Sequence, residues 1–243
     1  MSVLSGKGAL VTGGSRGIGR AIVERLAADG AEVVFCYQSS AEAAEQVAKE
    51  TGAHAVRADL GDEEDLRRLF AEAEARLPGL DILVNNAATA EAQKPIDAIT
   101  GDDYDRVFAV NAKAVFLAIQ WAGRVMRDGG RVINVSSLNT QVPAPTLALY
   151  CGSKGAMEQF AKVAARELGG RGITVNVVSS GATDTDMLRG ANPPEALERT
   201  PAMTALGRLG RPDDIAAVVG FLAGPDGRWV TGQNILATGG LIV

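Results

Sequence analysis

Short runs of β-branched and apolar residues recur along this chain, with a helix-length segment between each pair. KGALVT, EVVFCY, HAVRAD, DILVNN, RVINVSS, ITVNVVSS and QNILAT read as seven strands. Between them lie GIGRAIVERLAADG (ending at Gly30), SAEAAEQVAKE, DEEDLRRLFAEAEARL, DDYDRVFAVNAKAVFLAIQWAGRVM, the helix that begins in YCGSK, and DDIAAVVGFLAG. Strands separated in this way must pair in parallel through crossovers. Runs such as ILV and VINV suit strands covered on both faces. The pattern predicts an α/β, doubly wound sheet of seven parallel strands with helices on both faces. Ligands of such a sheet bind beyond the carboxyl ends of the strands.

There are no repeats or linkers, so a single domain is expected over residues 1–243. The longest strandless stretch, 187–211, follows the sixth strand and is a candidate substrate lid within that domain. A net charge of −5 argues against a nucleic-acid partner. Two distant cysteines, Cys36 and Cys151, make neither a disulfide framework nor a metal site. With no signal-like start and no membrane-length apolar run, a cytoplasmic location is expected and no membrane partner.

TGGSRGIG, Thr12 to Gly19, joins the first strand to the first helix. Its glycines fall at 13, 14, 17 and 19, which is not the common G-x-G-x-x-G spacing. The physics of a phosphate cradle still holds. Glycines permit a tight turn and close approach, and a helix N-terminus offers free N–H groups and a positive dipole end. A Rossmann-type dinucleotide site is therefore expected. Sites that prefer NAD carry an acid about 20 residues further on. Here the second strand ends in Tyr37, Gln38, Ser39 and Ser40, without a carboxylate. A 2′-phosphate would meet no repulsion there, and Arg16 could pair with it, although Arg16 can equally be read as a solvated loop charge. The expectation is NADP(H) rather than NAD(H).

With these motifs in order, the sequence resembles the short-chain dehydrogenase/reductase family. TGGSRGIG resembles its cofactor loop, Asp59-Leu60 its adenine contact and NNAA (85–88) its fourth-strand signature. Asn111, Ser137, Tyr150 and Lys154 fall where its catalytic four would lie, with thirteen residues from Ser137 to Tyr150. The resemblance runs from Lys7 to Gly240. It implies cofactor contacts at Gly13, Ser15, Arg16, Gly17, Ile18, Gly19, Asp59, Leu60, Asn86, Ala87, Ala88, Gly181, Thr183, Thr185 and Met187, besides Tyr150 and Lys154. Thr185 would bind the nicotinamide carboxamide. Ile18 and Val110 would supply apolar packing around the cofactor. Ala88, Ser180 and the ATGG near the C-terminus depart from the family pattern, and none of them removes a catalytic group.

The chemistry requires a phenol that can exchange a proton. A free tyrosine, with a pKa near 10, is a poor acid–base group at neutral pH. Tyr150 and Lys154 are four apart and share a helix face. An ammonium about 5 Å away is expected to lower the phenol by about two pKa units. Tyr150 would then protonate a developing alkoxide, and Ser137 would hold the carbonyl oxygen. By resemblance, Lys154 would also hold ribose hydroxyls and Asn111 a relay water; on its residues alone, Asn111 also reads as a buried side chain at a helix irregularity. Cys151 reads as a packing residue next to Tyr150, with possible sensitivity to alkylation. His54 reads as a structural or surface residue, Arg131 and Lys162 as surface charges, and Trp121 and Trp229 as packing.

The expected activity is NADPH-dependent reduction of a ketone, reversible as an alcohol dehydrogenase. The 187–211 segment is apolar, through Met187, Leu188, Pro193, Pro194, Leu197, Met203 and Leu206, and favours an apolar acyl or aromatic ketone. Local similarity points to 3-oxoacyl-carrier-protein reductases and hydroxynaphthalene reductases. Arg189, Arg199, Arg208 and Arg211 could meet an acidic carrier protein or be scattered charges. The alternatives are an NAD-dependent alcohol dehydrogenase and a non-catalytic, cofactor-binding regulator. Family resemblance also implies a homotetramer. No metal is expected.

Overall fold

The computed structural model describes residues 2–90 and 93–242. Seven strands form one sheet: β1 Gly8–Val11, β2 Glu32–Tyr37, β3 His54–Arg57, β4 Ile82–Asn85, β5 Arg131–Ser137, β6 Thr174–Ser180 and β7 Asn234–Ala237. Every pairing is parallel and the order is β3-β2-β1-β4-β5-β6-β7. The winding direction reverses between β1 and β4, where a crevice opens above the strand ends.

Each face of the sheet has its own apolar layer. On one side α1 (Gly17–Ala28), α2 (Ala41–Thr51) and α9 (Pro212–Ala223) bury Ile22, Leu26, Val47, Ile215 and Leu222 against Val11, Phe35 and Val84. On the other, α3 (Glu63–Arg76), α5 (Ala114–Val125) and α6 (Ala148–Leu168) bury Leu69, Phe70, Trp121 and Met157 against Leu10, Leu83 and Val132. The helix ends follow local chemistry. Gly30 turns the chain at φ +97° two residues beyond α1. The Asp62 side chain accepts from the N–H groups of Glu64 and Asp65 at 2.8 and 3.0 Å and starts α3.

Where one helix is expected over 102–126, three segments follow one another. α4 (Gly101–Phe108) passes through a π turn (Ala109–Lys113) into α5. The widened turn coincides with Asn111, whose side chain bonds to groups outside its own helix. The 187–211 segment contains no strand, as expected, but it is helical rather than irregular. α7 (Asp186–Ala191) and α8 (Pro194–Met203) lie beside the crevice, and the bridge between Thr183 and Gly210 ties the two ends of the segment together.

Two expectations about packing change. Trp121 is buried and stacks on Phe70 with ring centroids 4.4 Å apart, but Trp229 is 95% exposed. It sits on the surface connection between α9 and β7, where no core surrounds it. Arg131 is not a free surface charge. Its guanidinium turns back onto the carbonyls of Gly129 and Gly130, at 2.6 and 2.9 Å, and burial lowers its pKa.

Candidate active site

Above the carboxyl ends of the strands lies a cleft of about 1360 Å3. It takes in the glycine loop, the end of β2, the residues after β3 and β4, the ends of β5 and β6, the start of α6, and the α7–α8 segment. All the residues expected to bind cofactor line it, as do Ser137, Tyr150 and Lys154; Asn111 does not.

The glycine loop is shaped from both sides. Gly13 and Gly17 have φ of +69° and +54°, conformations that L side chains rarely adopt. A Cβ at Gly19 would stand 2.0 Å from the carbonyl oxygen of Gly13, and one at Gly14 would overlap the Phe35 ring. Asn86 holds the loop from β4. Its Nδ2 donates to the carbonyls of Thr12 and Gly13, and Thr12 Oγ1 accepts from the N–H groups of Asn86 and Ala87. Asn86 thus braces the loop as well as lining the cleft. Thr12, buried beneath it, was not singled out from the sequence, because a threonine ending a strand carries no special signal.

At the end of β2, Tyr37, Gln38, Ser39 and Ser40 line the cleft and bring no carboxylate. Arg16 is exposed across from them, and its guanidinium has no bonding partner among the described residues. Arg57, at the end of β3, donates Nε to the Gln38 carbonyl at 3.2 Å and adds a second guanidinium on this side. Only the parallel pairing of β2 with β3 brings it there, so sequence spacing could not reveal it. Asp59 is engaged locally, accepting the Gly61 N–H at 2.9 Å.

At the other end of the cleft, three consecutive residues of β5 meet one face of α6. The Val135 carbonyl accepts from Lys154 Nζ at 2.8 Å, Ser136 Oγ donates to Glu158 Oε1 at 2.6 Å, and the Ser137 hydroxyl faces the Tyr150 phenol closely enough to act on its pKa. Ser137 Oγ also accepts the Asn139 N–H at 3.2 Å. The Lys154 ammonium lies 5.9 Å from the centre of the Tyr150 ring.

The electrostatics differ from expectation. Burial holds the Tyr150 phenol above its ordinary range, and the Ser137 hydrogen bond only partly opposes this. Burial also pulls Lys154 down to about 8. The shared helix face does bring the two together, but the ammonium is directed at a main-chain carbonyl and desolvation outweighs its effect on the phenol.

Asn111 is fully buried. Its carboxamide exchanges two 2.8 Å hydrogen bonds with the Thr89 main chain, and its Nδ2 donates to Ser153 Oγ at 3.1 Å. Ser153 Oγ in turn donates to the Tyr150 carbonyl at 2.9 Å. Asn111 therefore braces the helix that carries Tyr150 and makes no hydrogen bond to Lys154.

The family model described as Enoyl-(Acyl carrier protein) reductase matches residues 13–242. The chain belongs to the short-chain dehydrogenase/reductase family. Within this oxidoreductase family it is 42% identical to the hydroxynaphthalene reductase-like protein Arp2 of Metarhizium brunneum, over 98% of this chain and 96% of that protein. A short-chain dehydrogenase from Burkholderia cenocepacia, crystallised with NADP, superposes with a TM-score of 0.91 at 43% identity, covering 98% of this chain and 99% of that one. The angucycline C-6 ketoreductase LanV, with bound NADP, superposes with a TM-score of 0.91 at 45% identity, covering 99% and 97%.

At the α7–α8 end of the cleft, Met187 and Met203 leave apolar surface exposed, as do Leu206 beyond α8 and Val142 in the loop before α6. Thr146, in that loop, is the one non-glycine residue with positive φ among the described residues, at +69°, and it lines the cleft four residues before Tyr150. Arg189 and Arg208 make bidentate pairs with Asp184 and Asp214, and Asp214 is held down at about 2 by that pairing. Cys151 does not line the cleft, and burial raises its thiol pKa, so it lacks the character of a reactive cysteine. Among the described residues, no helix is long and apolar enough to cross a membrane, and no cluster suits a metal ion.

Proposed function

We propose that this protein is an NADPH-dependent carbonyl reductase acting on an apolar or aromatic ketone, reversibly. The observation that carries the reading is the joining of two features in one cleft. A glycine cradle lies at one end, and the Tyr150–Ser137 hydroxyl pair lies at the other.

The residues present fit a dinucleotide. Gly13, Gly17 and Gly19 leave room where any Cβ would intrude, and the first N–H groups of α1 have no partner within the helix. Arg16, Arg57, Gln38, Ser39 and Ser40 would hold a 2′-phosphate, and Thr185 a nicotinamide amide. The NADP complexes of the Burkholderia relative and of LanV support the same preference. When bound, the cofactor supplies the hydride. Ser137 and Tyr150 would receive the substrate oxygen with two hydroxyl donors. Because burial keeps the phenol protonated, Tyr150 is suited to deliver its proton to the oxygen as negative charge develops there. Lys154 would favour that charge and bind ribose hydroxyls. Asn111 would hold the α6 end in place and, by family resemblance, a relay water.

The exposed methionines and leucine of the 187–211 lid support an apolar substrate. With Arg189 and Arg208 already paired, a free ketone is favoured over one carried by an acidic acyl-carrier protein. Exposed Phe116 and Val163, on α5 and α6, support a homotetramer built through those helices.

NADPH consumption should be followed with bicyclic aromatic ketones, 3-oxoacyl thioesters and 2-enoyl thioesters, each repeated with NADH. Turnover of a ketone, faster with NADPH, is expected. Turnover of enoyl thioesters alone, a preference for NADH, or cofactor binding without any turnover would each overturn the proposal.

A further inference from the structure

The turn of α6 that carries Glu158 lies directly behind the reacting groups. Tyr150, Lys154 and Glu158 are spaced by four residues on one helix face, and they engage Ser137, Val135 and Ser136 of β5 respectively. Glu158 is 9% exposed, Ser136 and Lys154 only 2%. A carboxylate this deep is costly unless it is balanced. Ser136 gives it one short hydrogen bond, and it has no ion-pair partner within contact distance among the described residues.

The surroundings narrow what Glu158 can be balancing. β5 and β6 bring no acid to this region, and their one base, Arg131, is at the far end of β5. Lys113 of the π turn is paired with Glu63. On α4, which also packs on α6, Asp103 is held by Lys94 and Arg106, and Asp105 lines the cleft. Tyr150 and Lys162 are the other titratable groups in this row of α6, and Lys162, four residues beyond Glu158, is exposed to solvent. Of all these, Glu158 is the charge that acts appreciably on Lys154, opposing the effect of burial. A neutral amide at 158 could accept the same Ser136 hydrogen bond, so joining helix to strand does not by itself require a charge.

We propose that Glu158 is a positioning residue of this site, a buried counter-charge that keeps Lys154 an ammonium and, through Ser136, fixes α6 to the end of β5. The inference rests on the carbonyl-reductase reading for its catalytic meaning, but its charge relationship can be read on the protein alone.

The test is a titration of Lys154 by the 13C shift of its ε-carbon, assigned by its absence in Lys154→Met, in the parent and in Glu158→Gln. Glu158→Gln keeps the shape and the Ser136 contact. The Lys154 midpoint is expected to move toward acid by about one pH unit, the scale of a single opposite charge one helical turn away. The alkaline limb of kcat/KM for ketone reduction should move the same way, and Glu158→Asp should restore most of both shifts. If Glu158→Gln does not fold, the double variant Ser136→Ala/Glu158→Met removes both polar groups together and should show the same displacement. An unmoved Lys154 midpoint in whichever neutral variant folds overturns the proposal. A moved midpoint in a protein that turns over no ketone leaves this inference standing and removes the carbonyl-reductase reading instead.

Discussion

Lys154 Nζ donates to the carbonyl oxygen of Val135 at 2.8 Å, and so anchors the reacting end of α6 to the strand beneath it. That contact fixes where the ammonium can act. It also sets a stability cost, because the cation is removed from water and its pKa falls to about 8.

Lys154→Met removes the cost of burying the ammonium but leaves Glu158 without its counter-charge, so the informative quantity is how the parent's stability relative to the variant changes with pH, while turnover falls at least a hundredfold. The sign follows from the lowered pKa. Below about 8 the folded and unfolded chains both carry the proton, and the full cost of burying it is present. Between about 8 and 10.5 only the unfolded chain keeps it, so the parent gains stability as pH rises. Thermal unfolding of both proteins from pH 7 to 10 should show the parent gaining stability relative to the variant above about pH 8.

Tyr150→Phe removes the proton donor and leaves the ring. Turnover should drop by about 10²–10⁴, with NADPH binding by fluorescence titration nearly unchanged. Ser137→Ala should lower kcat by a smaller factor, because the phenol remains as a donor to the substrate oxygen. Full activity in Tyr150→Phe would remove that residue from its role.

Gly19→Ala would force a Cβ to within 2.0 Å of the Gly13 carbonyl oxygen and 2.5 Å of Asn86 Nδ2. The expected loss is about 1–3 kcal/mol of stability, with NADPH affinity falling at least tenfold. Gly101→Ala, where an added Cβ meets nothing within 4 Å, is the control and should be silent. Unfolding curves and cofactor titrations of the two variants decide the matter.

Arg16→Ala and Arg57→Ala, singly and together, should weaken NADPH binding while leaving NADH nearly unaffected. The double variant should narrow the preference between the two cofactors by at least tenfold, the scale of a lost charge-assisted contact to phosphate. Dissociation constants for both cofactors at fixed ionic strength provide the check.

The β-branched Thr146 holds φ at +69°. Thr146→Gly relieves that conformation at the expense of extra freedom in the unfolded chain, so its Tm should be at or slightly above the parent's. Thr146→Pro, which locks φ near −65°, should lower it. Changes in ketone preference in the glycine variant would identify the side chain as part of the substrate wall.

Much of this architecture was legible in the residues. EVVFCY and RVINVSS occupy β2 and β5 residue for residue, because buried parallel strands are continuous apolar runs with clear ends. The positions of Ser137, Tyr150 and Lys154 followed from spacing, since a strand end and a helix start fix where those side chains can meet. What they do electrically did not follow. The raised phenol and lowered ammonium arise from burial under distant segments, which spacing along one helix cannot report. Arg57 and Thr12 enter the site only through strand pairing. At Asn111 the residues offered a buried side chain at a helix irregularity, which the structure shows, but not the π turn itself or its partners, Thr89 and Ser153, which lie 22 and 42 residues away.

That π turn has a geometric result. A turn that admits one additional residue shifts the angular phase of everything after it by roughly 100° relative to an uninterrupted α-helix. α4 and α5 thus form a single rod with two differently aimed stripes: Val107 is buried on the first half, and Trp121 and Ala118 on the second. Deleting one residue from 109–113 would turn the π turn into ordinary α-helix and leave both stripes aimed as they are, because the lost residue and the lost widening cancel; what it would break is the bonding of Asn111 to Thr89 and Ser153. A single-residue deletion there should unfold the protein less than one inside α5, where nothing offsets the change of phase.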